Sequence, residues 1–206
     1  MASINIKEIK SSLSPTNFIF LYDILKVENP DSILASLSKD LLIKYFGLLT
    51  KSKNIFLFLC KYKNENVGYV ILSSKPIFLI SEFRSLKFLI LKELILGLKF
   101  KTLANILLSI FKIDLFFLTK TKQDIINNNL NLSLLAIKKG FQSRGIGKEF
   151  VLQIIDDLKK EKNFDTITVE THNIDTNKFY VKKLDFFYIG KKIRLFKNLD
   201  IFQKNL

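Results

Sequence analysis

The chain has 206 residues, 48% of them hydrophobic and 25% charged, with a formal net charge of +14. That length suits one domain with a substantial core, and that balance excludes a disordered chain. A single cysteine, Cys60, and a single histidine, His172, exclude an intrachain disulfide and leave a zinc site or a Cys–His nucleophile pair almost nothing to draw on.

The positive charge invites a polyanion, but nearly all of it is lysine spread along the chain. Arg84, Arg144 and Arg194 are the only arginines. Scattered lysines raise nonspecific attraction without specifying a ligand, so we expect no nucleic-acid partner. The N-terminus lacks the long apolar core of a signal peptide, and a reducing cytoplasmic setting is expected.

Taken in chain order, Ile4 to Ile9 alternates and reads as a strand. Ser14-Pro15 opens a helix to about Glu28, and Asn29-Pro30-Asp31 breaks it. Asp31 or Ser32 is expected to cap a second helix with an apolar face at Ile33, Leu34, Leu37, Leu41, Leu42, Tyr45 and Phe46. Asn54 to Lys63 and Val67 to Ser73 read as a hairpin, with Cys60 as a small buried hydrophobe in its first strand. Within residues 77–118 the stretch from Leu86 to Leu118 is densely apolar, yet lysines and Glu93 interrupt every window long enough to span a membrane. Two helices, split near Gly97 to Thr102, are expected there as cover for the core; peripheral membrane contact stays open. Residues 119–129 are polar and read as a loop.

Leu130 to Lys138 is a further strand, followed by a glycine-bearing loop at 140–147 and an amphipathic helix from Ile146 to Glu161. Thr166 to Glu170 is a strand, Asp175 to Lys183 a short helix, and Phe186 to Phe196 one or two closing strands. The pattern is mixed α and β around one sheet.

A strand that feeds a glycine-rich loop and then a helix builds an anion site, because free N–H groups of the first turn point at the ligand. Gly145 and Gly147 let the backbone close around phosphate oxygens, and Arg144 and Lys148 add charge. The dinucleotide fingerprint fails for want of a third glycine. The triphosphate loop fails because Ile146-Gly147 stands where Lys-Ser or Lys-Thr is needed.

Gln142-Ser143-Arg144-Gly145-Ile146-Gly147 resembles the cofactor motif of the GNAT superfamily of acetyl-CoA-dependent N-acetyltransferases: Gln or Arg, two variable residues, Gly, one variable residue, Gly or Ala. The preceding Leu134-Leu135-Ala136-Ile137 looks like the family's fourth strand. Downstream, Ile167, Val169 and Asn173 fit the family's next strand, and Phe179-Tyr180 to Leu184 fits its following helix. Thr176 stands where alanine is common, and Asp185-Phe186 replaces a Gly-Phe pair. Asp185 has a short polar side chain that tolerates a left-handed turn.

The resemblance covers about residues 130–196 and implies an α/β (α+β) GNAT fold. Its central mixed, mostly antiparallel sheet is splayed between the fourth and fifth strands and flanked by helices. It further implies a single domain over 1–206, with 77–118 as an apolar helical insert and 130–196 as the cofactor-binding and catalytic half. Acetyl-CoA is the implied acyl donor, with no metal. The pyrophosphate would rest on Gln142, Ser143, Arg144, Gly145, Ile146, Gly147 and Lys148. The pantetheine arm would run along Leu135, Ala136 and Ile137, with Asn173 either touching the arm or only capping the next helix. Tyr180 is the implied general acid for the departing thiolate. Glu170 is a candidate base, and His172 is attractive by type alone.

The function expected is acetyl transfer to a primary amine of a small molecule. The apolar insert resembles that of family members near surface-polysaccharide pathways, which implies an amino sugar or sugar nucleotide. A protein N-terminus or lysine is the alternative acceptor, and a noncatalytic acyl-CoA-binding module the alternative role. A homodimer stays open.

Overall fold

The computed structural model describes residues 4–10, 12–30, 32, 34–75, 86, 88–90, 92, 93, 115–118, 129–161, 164–194 and 197–206. Strand β1 is Ile4–Ile9, and helix α1 is Pro15–Glu28. The Ser14 side chain accepts from the Asn17 N–H at 3.2 Å, and Pro15 occupies the first turn, where its missing donor costs nothing.

The second helix begins later than expected. Ser32 closes a 3-10 turn, Leu34–Ser36, by accepting from the Ala35 N–H at 3.0 Å. Helix α2, Lys39–Leu49, is capped instead by Ser38. The chain between the helices is held by the Lys26 ammonium, which donates to the carbonyls of Ala35 at 2.6 Å and Leu37 at 3.1 Å. Those bonds favour a tight turn over a continuous helix. Of the expected apolar face, Leu37, Leu41, Leu42, Tyr45 and Phe46 are buried nevertheless and Leu34 is half-buried, while Ile33 lies outside the described residues.

Strands β2, Ile55–Tyr62, and β3, Glu65–Ser73, form the expected hairpin. Its turn residues Lys63 and Asn64 both have positive φ, matching a two-residue connection that follows the strand twist. Strand β4 is Leu115–Leu118. This corrects the expectation of a helical insert to residue 118. A four-residue apolar run, Leu-Phe-Phe-Leu, carries no period that separates helix from strand. Positions 86, 88–90, 92 and 93 are helical, and Leu86 and Ile90 pack on the core as cover. The split near 97–102 and the loop at 119–128 lie outside the described residues.

Strand β5 is Asn129–Ile137, helix α3 Ile146–Glu161, strand β6 Thr166–Thr171, and helix α4 Ile174–Leu184. Strands β7, Phe187–Arg194, and β8, Lys197–Asn205, close the chain as a hairpin. The last strand lies beyond the expected end at Phe196. Its Lys197, Asp200, Gln203 and Lys204 hide any apolar alternation, although Gln203 is buried.

All eight strands form one sheet in the order β1-β2-β3-β5-β6-β8-β7-β4. Every neighbouring pair is antiparallel except β5 with β6, which is parallel. Helices α1 and α2 cover one face over Leu57, Leu59, Tyr69 and Ile71. Helices α3 and α4 cover the other over Phe58, Cys60, Val70, Leu72, Ile167 and Val169. Helix α3 buries Ile146, Phe150, Val151, Ile154, Ile155 and Leu158 almost completely, at about 2 kcal/mol for each large side chain. Cys60 is fully buried as expected, and burial, with the Glu149 charge second, pushes its thiol up to about 12. No described helix is long and apolar enough to cross a membrane.

Candidate functional site

The site begins with a strand pair that stops early. Strands β5 and β6 are paired from Asn129 opposite Thr166 to Leu132 opposite Val169, although β5 runs on to Ile137 and β6 to Thr171. A bulge marks the parting point. Ile71 faces Leu134 and Leu72 faces Leu132, so Ser133 is one residue too many for its neighbour β3. The Ser133 hydroxyl lies 3.0 Å from that of Ser73 and 3.2 Å from the Asn131 side-chain oxygen. The extra residue bends β5 away from β6 and flips the phase of its side chains. Leu130 and Leu132 face the α3 side, whereas Leu134 and Ala136 face the α1 side.

A cleft of about 410 Å³ opens in the splay. Leu132–Leu135 and Val169–Asn173 form its strand walls, Thr176 and Tyr180 of α4 one end, and Glu28, Asn29 and Pro30 the side nearest α1. Of the expected site residues, Leu135, Glu170, His172, Asn173 and Tyr180 therefore meet in one cavity. Residues 136–148 do not line it. They continue from β5 into the loop.

At the end of β5 the Lys138 N–H donates to the Val67 carbonyl at 2.8 Å, toward β3. Strand alternation turns the N–H and carbonyl of Ile137 the other way, into the splay. The carbonyl is taken by the Gln142 amide at 2.7 Å. A 3-10 turn, Lys139–Phe141, follows, then Ser143 at φ 60° and Gly145 at φ 80°. A side chain at 145 would be strained there, which accounts for glycine. The first bond of α3 runs from the Glu149 N–H to the Gly145 carbonyl, so the N–H groups of Ile146, Gly147 and Lys148 precede the helical ladder. With the positive end of the helix dipole they form a cradle suited to an anion.

The side chains in the loop divide the work. Ile146 is buried, and Gly147 lies against Ile137 and Phe179, with a Cβ there 3.4 Å from the Ile137 side chain. Arg144 is exposed and rests over the Phe141 ring at 5.5 Å. Ser143 and Lys148 are exposed. Ala136 is core, packed on the α1 side. Gln142, expected as a ligand contact, holds the loop onto β5 and onto Glu28 of α1, whose carboxylate accepts from the same amide at 2.9 Å.

Tyr180 is 3% exposed, wedged edge-on between the rings of Phe179 and Phe186. Burial pushes its hydroxyl above the ordinary tyrosine range, so it stays protonated at neutral pH. Glu170 lines the cleft and is ion-paired by Lys192, which reaches it from β7 with its side chain only 1% exposed. His172 is exposed on the rim. Asn173 caps α4: its side-chain oxygen accepts from the N–H groups of Asp175 at 2.8 Å and Thr176 at 3.1 Å. Asp185 ends α4 in the left-handed conformation at φ 57°, as its short polar side chain allows.

The sequence profile of the acetyltransferase (GNAT) family matches residues 118–186, about a third of the chain, and that segment contains the splay, the loop and α4. That match, with the shared fold, supports membership of the GNAT superfamily. GNAT proteins are acyltransferases that use acetyl-CoA and act on amine acceptors. Among solved structures, aminoglycoside 6'-acetyltransferase type Ii is similar in fold, with a TM-score of 0.59 at 12% identity over 98% of this chain and 96% of that one. The ribosomal-protein-S18-alanine N-acetyltransferase of Escherichia coli gives 0.55 at 13% identity over 98% and 94%. A GNAT family acetyltransferase from Elizabethkingia anophelis with acetyl-CoA bound gives 0.50 at 16% over 98% of each chain. No curated protein sequence matches this one.

Strands β5 and β6 take the places of the fourth and fifth strands of the GNAT fold, because Leu115–Leu118 adds a strand ahead of them. Three residues of the site escaped the sequence reading. Glu28 and Lys192 reach it from distant elements and left no local signal. Ser133 left one: the Leu134-Leu135 doublet, where the alternation slips by a residue.

Proposed function

We propose that this GNAT chain, as a single cytoplasmic domain, transfers an acetyl group from acetyl-CoA directly to a primary amine of a small molecule. The observation that carries the reading is the splay beyond Leu132 and Val169, open beside Tyr180 and leading to the glycine loop. An extended arm fits between the strands, where the backbone from Ser133 to Ile137 has no β6 partner. The cradle at Gln142 to Lys148 suits the pyrophosphate. In this reading Leu135 and Ile137 meet the arm through their main chains.

Transfer needs a neutral amine, a polarised carbonyl and a proton for the departing thiolate. The amine nitrogen bonds to the thioester carbon, the carbon–sulfur bond breaks, and the electron pair leaves on sulfur. The Ile137 N–H, turned into the splay, stabilises charge on the carbonyl oxygen. Tyr180, kept protonated by burial, gives its proton to sulfur. Glu170, with its carboxylate held by Lys192, takes the proton that the attacking amine sheds, directly or through water. Holding the two substrates together supplies much of the rate.

The cleft wall supports an amine acceptor. Among its described residues are two carboxylates, Glu28 and Glu170, and no lysine or arginine, in a chain of net charge +14. Such a wall attracts a cationic amine, of which an amino sugar, free or nucleotide-linked, is the expected kind. The test is turnover of acetyl-CoA by the wild-type protein against a panel of amino sugars, sugar nucleotides, other small amines and peptides. Small-molecule turnover supports the reading. Turnover of peptides alone moves the acceptor to protein, and none at all, with acetyl-CoA still bound, leaves a binding module.

A further inference from the structure

We propose that Glu28, on the acceptor side of the cleft, is a positioning residue for the coenzyme loop. The inference rests on reading that loop as the coenzyme A site. One carboxylate oxygen accepts from the Lys139 N–H at 2.8 Å, and the other accepts from the Gln142 amide at 2.9 Å. The same amide donates to the Ile137 carbonyl at 2.7 Å. Glu28 thus grips both ends of the turn that leads into the glycine loop, and ties that turn to the last residue of β5.

The placement is costly for α1 itself. Glu28 is the last residue of that helix, and a negative side chain there opposes the helix dipole. Its two donors come from the loop and from nothing in its own helix. The next residues, Asn29 and Pro30, line the cleft, and Lys26 braces the following turn through Ala35 and Leu37. One residue therefore ends the helix, starts the acceptor wall and fixes the donor loop. The carboxylate does not bind phosphate, which it would repel. Its effect on affinity passes through the N–H groups that the loop presents.

That sign decides the test. Calorimetric titration with coenzyme A is run on the wild type, Glu28→Ala, Glu28→Gln, Gln142→Ala and the Glu28→Ala/Gln142→Ala double variant, with thermal unfolding alongside. Each alanine variant is expected to bind roughly tenfold more weakly, since each loses two bonds of the clasp, both to the ionised carboxylate in Glu28→Ala and one of the two in Gln142→Ala. The double variant should be little weaker than either single one, because both break the same clasp. Glu28→Gln keeps an oxygen for the Lys139 N–H and should fall between. Folded Glu28 variants that bind as tightly as the wild type, or more tightly as simple charge removal predicts, overturn the proposal. Should Glu28→Ala not fold, Glu28→Gln carries the same comparison. Failure of the wild type to bind coenzyme A overturns the reading of the loop itself, and this inference with it.

Discussion

Leu132 of β5 faces Val169 of β6, and that is the last pair the two strands make. Beyond it the strands diverge around the Ser133 bulge, and the cleft, the loop and Tyr180 all lie on the open side. A parallel pair that zipped to its end would leave no room for an extended arm. Divergence at one inserted residue keeps the sheet continuous below and opens it above.

The backbone at Gly145 gives the first prediction. At φ 80° a β-branched residue is strained whatever the space around it. Gly145→Val should cost about 1–3 kcal/mol of stability, read as a lower midpoint in denaturant. It should also weaken coenzyme A binding, because the first N–H groups of α3 shift. Unchanged binding in the folded variant would count against the cradle.

Tyr180 carries the second. Replacement by phenylalanine keeps the ring between Phe179 and Phe186 and removes only the hydroxyl. Once an acceptor is found, Tyr180→Phe should lower kcat by about a hundredfold or more while the acetyl-CoA dissociation constant stays put. Equal losses in binding and turnover would make the hydroxyl a packing group.

The third concerns alkaline pH. Burial raises the hydroxyls of Tyr45, Tyr69 and Tyr180 above their ordinary value near 10. Above that value the unfolded chain loses protons that the folded chain keeps, so stability falls as pH rises. Of the six tyrosines, these three should stay silent in a tyrosinate absorbance titration until the protein unfolds. Their smooth ionisation in folded protein would contradict the burial.

Lys192 yields the fourth. Its ammonium is buried against Glu170, which keeps partial access to the cleft. Lys192→Met removes the buried positive charge paired with that carboxylate and should destabilise the fold by about 3 kcal/mol, seen in denaturant unfolding. Adding Glu170→Gln should recover part of the loss. No recovery would mean that the pair is not what the lysine is for.

Much of this was legible in the sequence, and the limits have physical causes. Helix α3 and strand β1 fall where periodicity puts them because their signals are local. Helix α2 starts late because Lys26 holds the preceding turn from outside it, which no spacing encodes. Strand β8 was lost to its polar positions, and β4 to a run too short to carry a period. The glycine loop and Tyr180 were readable as a motif. The motif did not convey a second duty: the Gln142 side-chain amide is bonded to Ile137 and Glu28 and so serves the loop's own architecture. Residues that reach a site from across the sheet, as Lys192 does, are set by topology and register alone.

The most direct test of the whole account is the melting temperature of the wild-type protein titrated with acetyl-CoA. A ligand that binds only the folded state must raise stability by an amount that grows with its concentration. The account predicts a saturable binding step and a rising melting temperature, both weakened in Gly145→Val. An unshifted melting temperature at about a thousandfold above micromolar, where a dissociation constant in the micromolar range would give about 4 kcal/mol, would contradict it.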